Sequence, residues 1–172
     1  MAFLVVAAMA VQLWPAGTAQ PGRMVAAADD PETVTILAGT PASIDPAKHG
    51  DLGSASYVSQ LFETLTAVDP SLTVRPALAE SWSVEEGGTR VVFTLRDGLE
   101  FSDGSSLTAS DVVRSWRRLF DPRDPSPLAS LIADVKGARA LLSGASSDPA
   151  TLGVTADGER RVVVDLERGG GD

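Results

Sequence analysis

The sequence predicts a mixed α/β domain, and three observations carry that prediction. Arg90 to Leu95 alternates with a period of two after a Glu85-Glu86-Gly87-Gly88 turn, the pattern of a hairpin with one apolar face. Thr108 to Phe120 follows a period near 3.6 and opens on a capping sequence, as an amphipathic helix does. A second apolar alternation, Leu152 to Ala156 and Arg161 to Leu166, flanks Asp157-Gly158 and reads as another hairpin. At 172 residues the chain is long enough to bury one sizeable core.

Taken in order, Thr33 to Ala38 is a short β-branched run expected to form the first core strand. A loop from Gly39 to Gly53 follows and holds the turn signal Ile44-Asp45-Pro46. Ser54 is expected to cap a helix reaching about Thr64, with Tyr57, Val58, Leu61, Phe62 and Leu65 as its apolar stripe. Leu65 to Val68 and Leu72 to Val74 flank Asp69-Pro70-Ser71, which is turn chemistry between short strands. Trp82 and Val84 lead into the first hairpin, and Val91, Phe93 and Leu95 line its apolar side. Asp97-Gly98 and Asp103-Gly104 then punctuate the chain, presenting Leu99 and Phe101 between them.

Thr108-Ala109-Ser110-Asp111 is a capping box with Asp in place of Glu. The helix it opens carries Val112, Val113, Trp116, Leu119 and Phe120 on one face and stops before Pro122. Arg117 and Arg118 in its last turn suit the helix dipole. Ser126-Pro127 is expected to start a further helix running towards Gly144, with Gly137 as a break or kink.

Formal charge is −9, from 23 acidic against 14 basic residues. That balance excludes a nucleic-acid partner, because phosphate neutralisation needs a basic patch, and the pairs Arg117-Arg118 and Arg160-Arg161 sit among acidic neighbours. The absence of cysteine excludes disulfide scaffolds, Cys-ligated zinc, thiol nucleophiles and a lipid anchor through Cys. Residues 1–28 have a composition of their own. Ala2 to Leu13 is apolar apart from Gln12, and small-residue sites follow at Gly17-Thr18-Ala19 and Val25-Ala26-Ala27. This pattern predicts a secretory signal peptide and an exported protein, although no Lys or Arg precedes the apolar run.

Candidate chemistry is sparse. Asp103 and Asp111 could form a general acid-base pair, but turn and cap chemistry accounts for both. His49 is the sole histidine and lies in a polar loop, with no second His or Cys to complete a metal set. Gly87-Gly88 lacks the spacing and helix of a phosphate loop. Trp82 and Trp116 fall on the apolar faces of their elements, where core packing is expected. No catalytic residue, metal site or cofactor is predicted.

The stretch from Pro76 to Arg118 resembles the signature of the family 5 extracellular solute-binding proteins, the peptide- and nickel-binding receptors of ABC importers. The matching residues are Pro76, Leu78-Ala79 and Ser81-Trp82, then Phe93, Leu95-Arg96 and Gly98. Phe101-Ser102-Asp103-Gly104, Leu107-Thr108-Ala109, Asp111-Val112-Val113, Ser115 and Arg118 continue the pattern. Ile44-Asp45-Pro46, Leu61-Phe62-Glu63-Thr64-Leu65 and Leu152-Gly153-Val154 resemble further family motifs in the family's order.

The resemblance implies the N-terminal part of a periplasmic-binding-protein type 2 fold, in which two α/β lobes close about a hinge. Members run to about 500 residues over several domains, so the chain resembles an N-terminal third, with Gly169 standing where Pro is usual. By resemblance, residues 33–62 start lobe one, and residues 63–172 form the family's extra subdomain, truncated at its C-terminus. The implied function is to capture short peptides, or another small solute, outside the cytoplasmic membrane for ABC permease subunits. A ligand-sensing or interaction module of the same fold is the alternative. The segment Gly50-Asp51-Leu52 aligns with a part of lobe one that borders peptide. There Gly50 would offer backbone, Asp51 charge, and Leu52 backbone with apolar contact. Leu128 aligns with a ligand-side position where peptide binders often carry Tyr. A periplasmic or extracellular location follows, with no enzymatic activity. The cargo types of the wider family (peptide, nickel chelate, haem, opine, oligosaccharide) stay open.

Overall fold

The computed structural model describes residues 39–169; the expected leader over 1–28 and the strand over Thr33 to Ala38 lie outside the described residues. A four-stranded antiparallel sheet organises the rest, built from β3 (Ala79–Glu85), β4 (Arg90–Leu95), β5 (Val154–Asp157) and β6 (Arg161–Asp165). Its strand order is β3-β4-β6-β5, so the two predicted hairpins join through a β4–β6 pairing that puts Phe93 opposite Val162. Because that register aligns the apolar positions of both hairpins, Val154, Val162 and Val164 become fully or almost fully buried beside Leu95. The apolar side of β4 is not the only covered one. Val92 points away from Phe93 yet is buried too, so the strand is covered on both faces at its centre, where a single apolar face was expected.

The helix that spans this sheet is α2 (Ala109–Arg118). The Asp111 carboxylate accepts hydrogen bonds from Thr108 N at 2.8 Å and Thr108 Oγ1 at 2.9 Å, which fixes the helix start as the capping sequence predicts. Ala109 N donates to Glu159 O at 2.7 Å, docking that start on the β5–β6 turn. From there the helix lies across β5 and β6 and buries Ala109, Val112 and Val113, with Trp116 and Leu119 packed at the edge of the core. Trp116 thus follows expectation, whereas Trp82 stays 37% exposed on edge strand β3.

A separate two-stranded ribbon, β1 (Thr66–Val68) and β2 (Val74–Pro76), closes over a turn from Asp69 to Thr73. Leu72 has φ of 62° and belongs to that turn, so the second strand starts at Val74 where Leu72 was expected. Asp69 holds that turn by accepting from Ser71 N, Ser71 Oγ, Thr73 N and Arg75 Nε. The ribbon joins the sheet through Leu78 N to Thr64 O and Ala79 N to Leu65 O.

Residues 126–144 depart from the predicted helix. They form a 3-10 turn at Ala129–Ile132, an isolated bridge between Val135 and Leu166, and the short helix α3 (Ala138–Leu142). Gly137 has φ of 80° and stands before α3, so the segment is broken there rather than kinked.

Candidate functional site

The described part of the chain begins with a loop that folds back on itself and then enters helix α1 (Leu52–Leu61). Its cap corrects the sequence expectation. Asp51, not Ser54, is the N-cap, with Oδ1 accepting from Ser54 N at 2.8 Å. Ser54 sits one turn inside, fully buried, where its Oγ accepts from Ala42 N and Ser43 N at 3.0 and 3.2 Å. The expected apolar stripe is buried only at Val58; Leu61 and Phe62 remain exposed.

Before the cap, Asp45 organises a tight turn. Its Oδ1 accepts from Ala47 N at 2.9 Å, and its carbonyl accepts from Lys48 N. Arg118, at the end of α2, clasps the same carboxylate with both guanidinium arms, one of them at 2.8 Å. That fork is the main reason the Asp45 carboxyl is held below its usual range. Lys48 Nζ reaches Asp124 O at 2.5 Å and also pairs with the Asp124 carboxylate. At the centre of the contact the buried Ser126 hydroxyl donates to Ala47 O at 2.5 Å and accepts from Leu128 N at 3.0 Å. An ion pair, a lysine bridge and a buried hydroxyl therefore fasten the loop over residues 45–49 to the end of α2 and the loop that follows it to residue 128.

This clasp brings the two predicted ligand-side segments onto one junction. Gly50 lies three residues beyond Ala47, and Leu128 two beyond Ser126. Gly50, Asp51 and Leu52 are exposed, Leu52 at 89%, and Leu128 is half-buried. The exposed segment offers backbone and one carboxylate, which Ser54 N, the largest cause, holds below the usual range and so anionic at neutral pH. Among the described residues no direct hydrogen bond joins Gly50, Asp51 or Leu52 to Leu128. His49 turns its Nδ1 to Pro46 O, 3.1 Å away in its own loop.

Asp45, Lys48, Arg118 and Ser126 are the positions that sequence reasoning missed as a unit. Ile44-Asp45-Pro46 and Ser126-Pro127 are each visible as turns, and Arg118 as a dipole partner, but their pairing spans more than 70 residues. The candidate acid-base pair has other duties. Asp103 accepts from Ser105 Oγ and Ser105 N, and Asp111 from Thr108 and Arg114, so both carboxyls are held below their usual range.

The family model "Bacterial extracellular solute-binding proteins, family 5 Middle" matches residues 73–170. In sequence, the chain is 41% identical over 130 residues to the probable deoxycholate-binding periplasmic protein YgiS of Escherichia coli K12, covering 74% of this chain and 24% of YgiS. It is 35% identical over 144 residues to the periplasmic murein peptide-binding protein MppA of the same organism, covering 82% of this chain and 26% of MppA. In structure, MppA superposes with a TM-score of 0.72 at 34% identity, over 77% of this chain and 26% of the other. The pheromone receptor PrgZ, whose mode of peptide binding has been solved, gives 0.74 at 31% identity, over 78% and 26%. The matched part of the chain spans about a quarter of the length of these relatives. By its family match and by the mixed α/β backbone it shares with these receptors, the chain belongs to the family 5 bacterial extracellular solute-binding proteins.

Proposed function

We propose that this chain forms one wall of an exported receptor that captures short peptides outside the cytoplasmic membrane and passes them to the permease of an ABC importer. Residues 33–62 begin its first lobe and residues 63–172 make its extra subdomain. The observation that carries this reading is the likeness to the murein peptide-binding protein, which extends over about four-fifths of the chain in sequence and three-quarters in backbone.

Gly50 and Leu52 meet the peptide through main-chain hydrogen bonds, a mode that tolerates varied side chains. Asp51 meets a positive charge on the ligand, and Leu128 gives an apolar contact in place of a hydroxyl. The clasp at Asp45-Arg118 and Ala47-Ser126 holds these positions in a fixed relation, so little ordering remains to be done when the ligand arrives. Closure of two lobes about a hinge completes the enclosure. No chemical step is assigned: the carboxylates and the histidine that a reaction could use are engaged in turns, caps and their own loop.

A chimaera tests this. Residues 39–169 replace the matching quarter of MppA, and both proteins are titrated with the murein tripeptide. The expected affinity is within about tenfold of the parent, and the chimaera supports permease-dependent uptake. A folded chimaera that binds no peptide sinks the proposal. One that binds peptide but supports no uptake, beside a working parent, favours sensing over transport.

A further inference from the structure

An open groove of about 870 Å³ runs between α2 and β5, on the side of the helix away from β6. Four guanidinium groups border it, from Arg114, Arg117, Arg118 and Arg123. In a chain of net charge −9 that concentration stands out, and the partners of the four decide what it means. Arg114 pairs with Asp111, Arg118 with Asp45, and Arg123 with Asp121. Arg117 pairs with no carboxylate among the described residues. Its Nη2 donates to Val154 O at 3.2 Å, and its buried Nε has no acceptor among the described residues. Arg117 as a whole is half-buried, and a half-buried guanidinium with a donor to spare and no carboxylate partner gains more from an anion than a fully exposed one does, because it has less hydration to give up.

The walls around Arg117 are mostly apolar, from Val113, Pro122, Pro149 and Ala156, with Thr155 and the Arg123-paired Asp121 also on the lining. Volumes of roughly 300–1,000 Å³ with apolar walls and a few polar anchors are those that hold small molecules. One uncompensated positive charge, partly offset by the negative end of the α2 dipole, suits a monoanion better than a dianion. We propose that this groove binds an amphipathic monocarboxylate, its carboxylate on the Arg117 guanidinium and its apolar body along Val113, Pro149 and Ala156.

The full 172-residue chain is titrated with decanoate below its micelle concentration, with methyl decanoate as the uncharged control, and backbone amide shifts are followed by NMR. Decanoate is expected to shift the amides of Val113, Thr155 and Ala156, and the ester is not. Arg117→Gln is expected to weaken decanoate at least about tenfold, whereas Arg123→Gln, already paired, changes it by less than about threefold. Trileucine with a free or an amidated C-terminus separates the sources of the carboxylate. A free-acid peptide outbinding decanoate assigns a peptide terminus, and the reverse order assigns a fatty-acid-like ligand. Equal binding of ester and acid, shifts confined to other surfaces, or undiminished binding by Arg117→Gln overturns the proposal. Should Arg117→Gln not fold, the comparison of acid and ester on the unaltered chain decides it alone.

Discussion

Replacing Gly137 with alanine separates two descriptions of residues 126–144. In a continuous helix through this position, alanine would stabilise the chain by about 0.5–1 kcal/mol, since glycine is the poorer helix former. The structure reverses the sign. Gly137 has φ of 80°, and a Cβ there would stand 2.5 Å from Thr151 O, a backbone atom that cannot swing aside. The left-handed backbone costs an alanine about 1–2 kcal/mol, and relieving the contact costs about 1–3 kcal/mol more. Any shift also strains Gly137 N to Glu167 Oε1 at 3.0 Å and the neighbouring Val135–Leu166 bridge. The expected loss is therefore about 3 kcal/mol. Urea unfolding followed by circular dichroism measures it. With a slope of about 2 kcal/mol per molar, the midpoint should fall by about 1.5 M. A midpoint that rises or holds steady would refute the broken-segment geometry and restore the continuous helix.

Ser126→Ala should leave Ala47 O and Leu128 N without their buried partner, at a cost of about 1–3 kcal/mol; hydrogen exchange should quicken over residues 45–52 but not in α2, and unchanged exchange would count against the clasp. Asp111→Asn should cost about 1 kcal/mol at neutral pH by weakening the cap of α2. Since the folded carboxyl is held below its unfolded value, that contribution is present above the unfolded pKa and is lost as pH falls through the folded one. The difference between the two proteins in thermal melts should accordingly shrink in acid, and a constant gap would contradict the cap's role. Asp69 should titrate near 2 rather than 3.8, because Ser71, Arg75 and Thr73 bind its charged form. Carboxyl carbon shifts read that midpoint directly, and a value near 4 would mean the ribbon turn is not locked as described.

Local chemistry made much of the fold legible. Thr108 and Asp111 announce a helix start through side chains that reach only three residues, and Asp157-Gly158 announces its hairpin in the same way. The failures come where local signals compete. Asp51 and Ser54 are both good caps three residues apart, and the choice depends on Ala42 and Ser43, whose amides claim the Ser54 hydroxyl. The Ser126 to Gly144 stretch has helical spacing, yet Val135 is drawn to Leu166 across the core and Gly137 turns the chain away. Of the candidate site, Gly50 to Leu52 and Leu128 were reachable only through family likeness. Their shared junction depends on Arg118–Asp45 and Ser126–Ala47, contacts that no period or turn rule encodes.

Photocrosslinking tests the ligand-facing role of that junction most directly. A tripeptide carrying a benzophenone side chain is bound to the MppA chimaera, irradiated, and the labelled residues are found by mass spectrometry. Labels are expected within residues 47–56 and 124–132. Labels confined to the Val68–Val74 ribbon tip, or to MppA residues alone while peptide is bound, would contradict the placement of cargo against Gly50, Asp51, Leu52 and Leu128.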